Sequence, residues 1–214
     1  MTDERPRGRA PRPRKPSPAE RREQRAAVED PAEVMEAAAR LLEARPRSVA
    51  EVRRRLARLG YRPALVDGIL ERLAELGYLD DQAFARAWVE SRDRSKPRGE
   101  HALRRELGLK GVDRALVDGV LGDRRDAETS DEHAAGASAD VAAATRLLGR
   151  KMTSILREVD PRRRMQKAYG LLARNGFSPD VCSSVAKRAL ATAAAAADDD
   201  EAEDDDGPPD DAEP

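Results

Sequence analysis

Apolar residues recur at helical spacing from residue 31 onward. The segment Asp30-Pro31-Ala32-Glu33 combines an N-cap side chain, a proline at the first helical position and an acidic first turn, which together predict the start of a helix. The apolar face of this helix comprises Val34, Ala38, Leu41 and Leu42. An apolar stripe on one face predicts that the helix packs against partners.

Two further helices follow in the same unit. Ser48-Val49-Ala50-Glu51 has the spacing of a capping box, in which the serine oxygen and the glutamate satisfy each other's free backbone amides. The next apolar positions are Val49, Val52, Leu56 and Leu59, and then Leu65, Val66, Ile69, Leu70, Leu73 and Leu76. Each run ends at a glycine, Gly60 or Gly77, because glycine readily adopts the left-handed conformation that stops a helix.

The three-helix unit is repeated. Placing Arg45-Pro46-Arg47 on Lys96-Pro97-Arg98 aligns a second copy without a gap at an offset of 51 residues, and residues 64–70 then fall on 115–121. A more diverged third copy places Leu172 on Leu56, Gly176 on Gly60, Phe177 on Tyr61, Pro179 on Pro63 and Val185 on Ile69. Repetition at this period is typical of modular helical arrays.

The second unit begins with an aromatic stripe. If Asp80 is the N-cap, Leu79 and Phe84 occupy the positions of a hydrophobic staple, and Trp88 lies one turn beyond Phe84. Helical spacing explains Phe84, Trp88 and Val89 as core residues; the alternative is a platform on which nucleic-acid bases stack.

The sequence therefore predicts an all-α protein of three tandem, helix-turn-helix-like three-helix repeats in an elongated, curved array. The predicted segments are a disordered basic arm (1–30), repeat 1 (31–78), repeat 2 (79–122), a flexible linker (123–139), repeat 3 (140–195) and a disordered acidic tail (196–214). The helices of repeat 3 are expected at 140–150, 161–175 and 179–195.

Charge is segregated along the chain. Eleven of the 41 acidic residues lie from Asp198 onward, where there is no Lys or Arg. The rest of the chain has 30 acidic residues and 40 Lys and Arg, so its net charge is about +10. The tail could fold back on a basic face or serve only solubility, and the arm could contact phosphate or serve only solubility.

The residues give no sign of catalysis. The chain has no glycine-rich phosphate-binding motif, His101 and His133 are far apart in the sequence, and Cys182 has no histidine base in its own unit. Cys182 is interpreted as a buried, inert thiol. No run of about 20 apolar residues occurs. We therefore expect a cytoplasmic, non-catalytic protein with no cofactor and no metal.

Cations recur around the start of each middle helix, which suits a long polyanion because many weak phosphate contacts release counterions. The candidate binding residues are Arg47, Arg53, Arg54, Arg58, Arg92, Arg94, Lys96, Arg98, Arg104, Arg105, Lys110, Arg163, Lys167 and Arg174. The alternative is that these charges are ordinary solvated helix faces, since Glu51, Glu71, Glu75 and Glu106 dilute the positive field.

Several motifs resemble the regulatory protein RecX family. They are Arg45-Pro46-Arg47-Ser48, residues 51–56, Gly60-Tyr61, Gly77-Tyr78-Leu79-Asp80-Asp81, Phe84-Ala85, Trp88-Val89, Ser91-Arg92, residues 104–107, Lys110-Gly111-Val112 and the closing residues 171–177 with Gly176 and Phe177. The resemblance covers about residues 33–190. Its most specific part is Gly-Tyr-Leu-Asp-Asp followed by Phe-Ala, and it is weakest in the third repeat.

The resemblance implies a bacterial modulator of the recombinase RecA, and the expected effect is inhibition. Such proteins are curved arrays of three-helix repeats that lie in the groove of the RecA filament on single-stranded DNA and restrain its ATPase, strand exchange and coprotease activities. The same resemblance implies a role in DNA repair, recombination and the SOS response, with the RecA filament and single-stranded or double-stranded DNA as partners. We expect the protein to be a monomer. The basic arm, long linker and acidic tail depart from the family pattern.

Two other functions remain open from the residues alone. Three-helix units with arginine-rich helices could enter a major groove as a helix-turn-helix DNA-binding protein, although the outer faces of the middle helices are expected to lack the Asn and Gln that read bases. A helical adaptor for another protein would instead bind nucleic acid weakly at any salt concentration.

Overall fold

The computed structural model describes residues 14, 16–129 and 138–203, with side chains described at 14, 16–126 and 138–196. These residues form eleven helices and no strand. They divide into two compact units, Met1–Leu79 and Asp80–Pro214. The predicted all-α class and its three-helix organisation are confirmed.

The first unit contains four helices, which are α1 (Pro18–Ala26), α2 (Pro31–Ala44), α3 (Val49–Leu59) and α4 (Pro63–Glu75). Their core consists of Val34, Ala38, Val52, Leu56, Tyr61, Val66, Ile69, Leu70, Leu73 and Leu79. Most of these are the residues that the helical spacing placed inside. Partly buried Leu41, Leu42, Val49, Leu59 and Leu65 pack around them, whereas Leu76 is exposed.

The predicted helix ends of the first unit are confirmed in detail. The Asp30 carboxylate accepts from the backbone N–H of Ala32, and Ser48 and Glu51 form the reciprocal capping box at the start of α3. At the other end of α3, Gly60 has φ +108°. A Cβ at this position would also lie 2.8 Å from the backbone oxygen of Arg22. Gly60 is therefore required both by its backbone conformation and by a close approach of α1.

Helix α1 corrects the prediction of a disordered arm over residues 18–26. Ser17 accepts from the N–H of Glu20, and the Glu20 carboxylate accepts from the N–H of Ser17, so this arginine-rich segment begins with a complete capping box. The helix packs against α3. Local capping and this contact outweigh the composition, which had suggested disorder. The rest of the predicted arm before residue 14 lies outside the described residues.

The second unit contains the other two repeats. Repeat 2 consists of α5 (Asp81–Ser95), α6 (Glu100–Lys110) and α7 (Arg114–Thr129), and repeat 3 of α8 (Ala139–Gly149), the short α9 (Met152–Leu156), α10 (Pro161–Arg174) and α11 (Pro179–Glu203). Each repeat has its own apolar cluster. Leu107 and Leu172, which the repeat alignment places on Leu56, are fully buried like it.

The predicted boundaries at 123–139 and 196–214 are wrong in part. Helix α7 continues through Thr129 and α11 through Glu203, while residues 130–137 and 204–214 lie outside the described part. Alanine has the highest helix propensity of any residue type, so the alanine run before the tail explains why α11 is longer than predicted. In α7 the segment that was predicted to be a linker begins with residues that include Arg124, whose side chain is buried.

Arg124 joins the second and third repeats. Its guanidinium is 8% exposed and makes two hydrogen bonds of 2.9 Å to the Asp93 carboxylate on α5 and one of 2.8 Å to Asp140 on α8. Although burial opposes the charged form, the two carboxylates raise the pKa of Arg124. The other Asp140 oxygen accepts from the N–H of Glu100 and so caps α6, whose own N-cap residue is Gly99.

A glycine contact forms a second junction between the same repeats. Gly99 donates its N–H to the carbonyl of Asn175, and a Cβ on Gly99 would lie 2.2 Å from the carbonyl oxygen of Gly176. Arg150 adds hydrogen bonds to the carbonyls of Ser95 and Arg94 at the end of α5. Repeats 2 and 3 therefore pack directly on each other, despite the polar segment between them in the sequence.

The proposed staple of Leu79 and Phe84 is replaced by separate packing. Leu79 is buried in the core of the first unit and Phe84 in that of the second. Asp80 is the N-cap as predicted, and its carboxylate accepts from the N–H groups of Gln82 and Ala83. Each of these two apolar side chains therefore packs in the core of its own unit.

Replacing Arg124 by methionine should destabilise the second unit by about 3 kcal/mol, because Asp93 and Asp140 would be left partly buried without their cation. The fluorescence of Trp88, the only tryptophan, reports unfolding of this unit in urea. The control is Arg86→Met, which breaks an exposed ion pair with Asp123 and should cost less than about 1 kcal/mol. Equal losses in the two variants would contradict the role given to Arg124.

Candidate nucleic-acid and partner interface

The outer face of α3 carries the densest group of candidate cations in the first unit. Arg54 and Arg58 are exposed there, and the Arg58 Nε donates to the carbonyl of Arg54. A shallow pocket of about 620 Å³ is lined by Arg45, Arg47, Glu51, Arg54, Ala57 and Arg58. One acid therefore stands among four arginines, and Arg45 engages that acid through two hydrogen bonds of 3.1 and 3.2 Å.

Arg47, one of the candidate binding residues, is less exposed than Arg54 and Arg58. It is half-buried, and its Nε donates to the carbonyl of Leu41 at 2.8 Å, near the end of α2. Burial lowers the pKa of the Arg47 guanidinium, and repulsion from Arg45 lowers it further. The side chain thus links α2 to the start of α3 while adding to the positive field of the pocket.

Two of the candidate cations make a repeated structural ion pair. Arg53 Nε lies 3.0 Å from an Asp67 carboxylate oxygen, and Arg104 Nε lies 3.0 Å from that of Asp118. Both residues of the first pair fall on those of the second at the 51-residue offset, so repeats 1 and 2 use the same pair to join their second and third helices. Arg104 also bonds Glu100, and its pKa is raised chiefly by its bond to Asp118. These two arginines hold helices together.

The cations nearest Trp88 are also engaged within the protein. Arg92 lies 4.2 Å and Lys110 4.0 Å from the centre of the indole ring. The indole N–H and the Arg92 guanidinium both donate to Glu106, at 2.9 and 2.7 Å. Phe84 stacks on the same ring with centroids 6.1 Å apart. Trp88 thus packs with the apolar cluster of repeat 2, and cations already occupy the approach to its ring.

The remaining candidates divide into paired and exposed side chains. Arg98 is half-buried, bonds the Asn175 side chain of repeat 3 and lies 3.5 Å from Glu106. In repeat 3, Arg163 lies 3.7 Å from Asp160, and Lys167 forms an ion pair with Glu158. The exposed candidates are Arg94, Lys96, Arg105 and Arg174. Exposed candidate cations therefore occur in both units, with Arg54 and Arg58 close together on α3.

The glycines, aromatic residues and neighbouring positions that carry the family resemblance form a structural signature, and they have distinct places in the fold. Gly60, Gly77, Gly111 and Gly176 all have positive φ, as their helix-stop role requires. Leu79, Phe84 and Phe177 are buried, Asp80 caps α5 and Asp81 is the first residue of α5. Tyr78, by contrast, is 69% exposed. Most of this signature therefore determines packing and helix ends.

Several important arginines were not among the candidates. The repeat offset places Arg45 on Lys96, so a signal for Arg45 existed in the alignment. Arg21, Arg22 and Arg25 lay in the segment assigned to disorder, and Arg124 lay in the segment assigned to a linker. The helical capping box at Ser17 was the available signal for the first group, but no sequence pattern marked the partners of Arg124.

Other kinds of site find no support in the part of the chain that the structure describes. Over those residues, no group of three or more His, Cys, Asp or Glu could hold a metal ion. None of the helices there is both long and apolar enough to cross a bilayer. Cys182 is fully buried, and burial raises the pKa of its thiol.

The Glu106 cluster should make the stability of the second unit depend on pH. Partial burial opposes ionisation of Glu106, but hydrogen bonds from Arg92 and Trp88 outweigh it and lower its pKa. A lowered folded-state pKa means that ionised Glu106 stabilises the fold above about pH 4.3, the ordinary value, and that this contribution is lost as pH falls through the lowered value.

The test compares the wild-type chain with Glu106→Gln in urea between pH 7 and pH 3, monitored by Trp88. The variant should lose about 1–2 kcal/mol at pH 7 and show a flatter acid limb. Identical pH profiles would contradict the assignment. Glu90→Gln, which changes an exposed glutamate on the same helix as Trp88, is the matched control.

Comparison with known proteins identifies the repeats. Residues 35–73 match the family model for the first three-helix domain of RecX, and residues 80–121 match that for its second three-helix domain. Helix α1 and the whole of repeat 3 fall outside these two matches.

Curated relatives are named regulatory protein RecX. The chain is 37% identical over 122 residues to the protein from Streptomyces coelicolor, a match that covers 57% of this chain and 58% of that protein. It is 34% identical over 147 residues to the protein from Mycobacterium avium, covering 69% of this chain and 79% of that relative. The chain thus spans just over half the length of the Streptomyces protein.

Solved structures show the same fold. The crystal structure of RecX from Lactobacillus salivarius aligns with a TM-score of 0.57 at 20% identity, covering 74% of this chain and 95% of that one. A second crystal structure of regulatory protein RecX aligns with a TM-score of 0.59, also at 20% identity, covering 78% of this chain and 72% of that one. With 34% identity across four-fifths of a curated relative and both three-helix domains matched in order, the chain belongs to the RecX family of regulatory proteins, a non-enzymatic family.

Proposed function

We propose that this regulatory protein acts on the recombinase RecA. It binds as a monomer in the groove of the RecA filament on single-stranded DNA, in the cytoplasm, and restrains ATP hydrolysis, strand exchange and coprotease activity. It contributes to the control of DNA repair, recombination and the SOS response. Membership in the RecX family is the observation that carries this proposal.

The distribution of charge supports a binding role. In the second unit, Arg92, Arg104 and Arg124 are engaged by carboxylates and maintain the fold. In the first unit, Arg54 and Arg58 stand on the exposed side of α3. A filament presents repeated phosphate and protein surfaces, and a set of exposed cations gains affinity from such a target through many weak contacts.

The helix-turn-helix alternative gains little from the described side chains. The exposed face of α6 includes His101, Arg105 and Leu109, and that of α3 includes Arg54 and Arg58. The expectation that the middle helices lack Asn and Gln is wrong at one position, since Gln166 is exposed on α10. One amide does not make the bidentate base contacts of a recognition helix.

The direct experiment titrates the purified chain onto RecA assembled on single-stranded DNA and follows ATP hydrolysis. The rate should fall progressively as the chain approaches the molar concentration of RecA. An unrelated single-strand-dependent ATPase on the same DNA serves as control and should keep its activity. Unchanged hydrolysis by RecA at molar excess would contradict the proposal, as would equal inhibition of the control, which would mean that the chain only sequesters DNA.

A further inference from the structure

We propose that α1 and the outer face of α3 form one arginine groove that binds the phosphodiester backbone of nucleic acid without reading its sequence. The arginine groove is defined by Arg45, Arg47, Arg54 and Arg58 from the α3 side, and by Arg21, Arg22 and Arg25 from α1. The inference deepens the proposed function, because it assigns polyanion contact to a particular surface. The three arginines of α1 lie outside the matched family domains, the first of which begins at residue 35.

Two neighbouring depressions make up the groove. The pocket of about 620 Å³ on α3 includes Arg58 in its lining. A second, of about 340 Å³, is lined by Pro18, Arg21, Arg22, Arg25, Arg58 and Leu59. Because Arg58 lines both, the two depressions meet at its side chain. The second depression has no acidic residue in its lining.

Helix α1 is fixed at this position by its own arginines. Arg22 Nε donates to the carbonyl of Arg58 at 3.3 Å, and Arg25 donates to that of Leu59 at 3.4 Å. These carbonyls lie at the C-terminal end of α3, where the helix dipole favours cations. Arg25 also lies 5.9 Å from the centre of the Tyr61 ring. The absence of a Cβ at Gly60 permits the close approach.

The arginine groove retains charge for a ligand. Glu51 is the only acid among its lining residues, and Arg45 already pairs with it. Within the described residues, the Arg21 side chain has neither a hydrogen bond nor an ion pair with another side chain. Burial lowers the pKa of Arg47 and repulsion from Arg45 lowers it further, so a bound anion would offset that repulsion.

The lining favours a phosphodiester over an acidic protein segment. Apart from Leu59, its nonpolar members are the small side chains of Ala57 and Pro18, so the groove offers no pocket for an aromatic or aliphatic anchor. Arginine's planar fork matches phosphate oxygens. The lining includes no Asn or Gln to read base edges, which predicts binding that does not depend on sequence.

The test measures binding of a short, fluorescently labelled single-stranded DNA of mixed sequence to the full chain across a salt series, without recombinase. Arg21→Gln combined with Arg58→Gln removes two groove cations whose side chains do not hold α1 in place. The slope of log affinity against log salt should become shallower by about 1.4, at about 0.7 per cation on single strands, and binding should weaken for every sequence tried.

The matched control combines Arg40→Gln with Arg72→Gln. These exposed arginines lie on α2 and α4 of the same unit and pair with Glu36 and Glu75, so the control makes the same change in net charge away from the groove. It should leave the slope nearly unchanged, and circular dichroism should show equal helicity in all three proteins. Equal slopes in the groove and control variants would overturn the proposal.

A competition experiment separates the two kinds of acidic ligand. Poly-glutamate that displaced the DNA at equal concentration of charge would assign the groove to an acidic polypeptide and would also overturn the proposal. Neither binding experiment contains recombinase. If either one contradicts the arginine groove, the RecA ATPase titration still tests the proposed function independently.

Discussion

The second unit depends on one buried cation. Arg124 is almost completely withdrawn from solvent and is held by Asp93 and Asp140, which come from two different repeats. Small helices with few aromatic residues bury limited apolar area, so each repeat has a modest core of its own. The shared guanidinium, together with the contact of Gly99 with Gly176, turns two such repeats into one packed body. Removing the cation would leave two carboxylates to be solvated at the junction.

The same chemistry therefore serves two purposes in this arginine-rich chain. In the second unit, Arg92, Arg104 and Arg124 face carboxylates and stabilise helix contacts. In the first unit, Arg22 and Arg25 bond carbonyl oxygens instead, so their charge is not neutralised by an acid. Net charge alone does not reveal this difference. The partner of each guanidinium decides whether it is structural or available for a polyanion.

Much of the fold was predictable because local signals agreed with one another. Capping residues such as Ser48, glycine stops such as Gly60 and the gapless 51-residue offset all indicated the same helices. The ion pair of Arg53 with Asp67 could have been predicted from that offset, because Arg104 and Asp118 occupy the equivalent positions in repeat 2. Helix α1 was missed because arginine and proline content outweighed the capping box at Ser17. The role of Arg124 was missed because its partners are distant in sequence, and only tertiary packing brings them together.

We propose that the first unit presents the principal binding surface through the arginine groove, whereas Arg92, Arg104 and Arg124 of the second unit maintain its fold. Hydrogen exchange of the full chain, alone and bound to RecA filaments on single-stranded DNA, tests it most directly. The account predicts that binding slows exchange in α1 and α3, around the arginine groove, and changes the buried junction at Arg124 little. Protection confined to the second unit, with α1 and α3 unchanged, would contradict it.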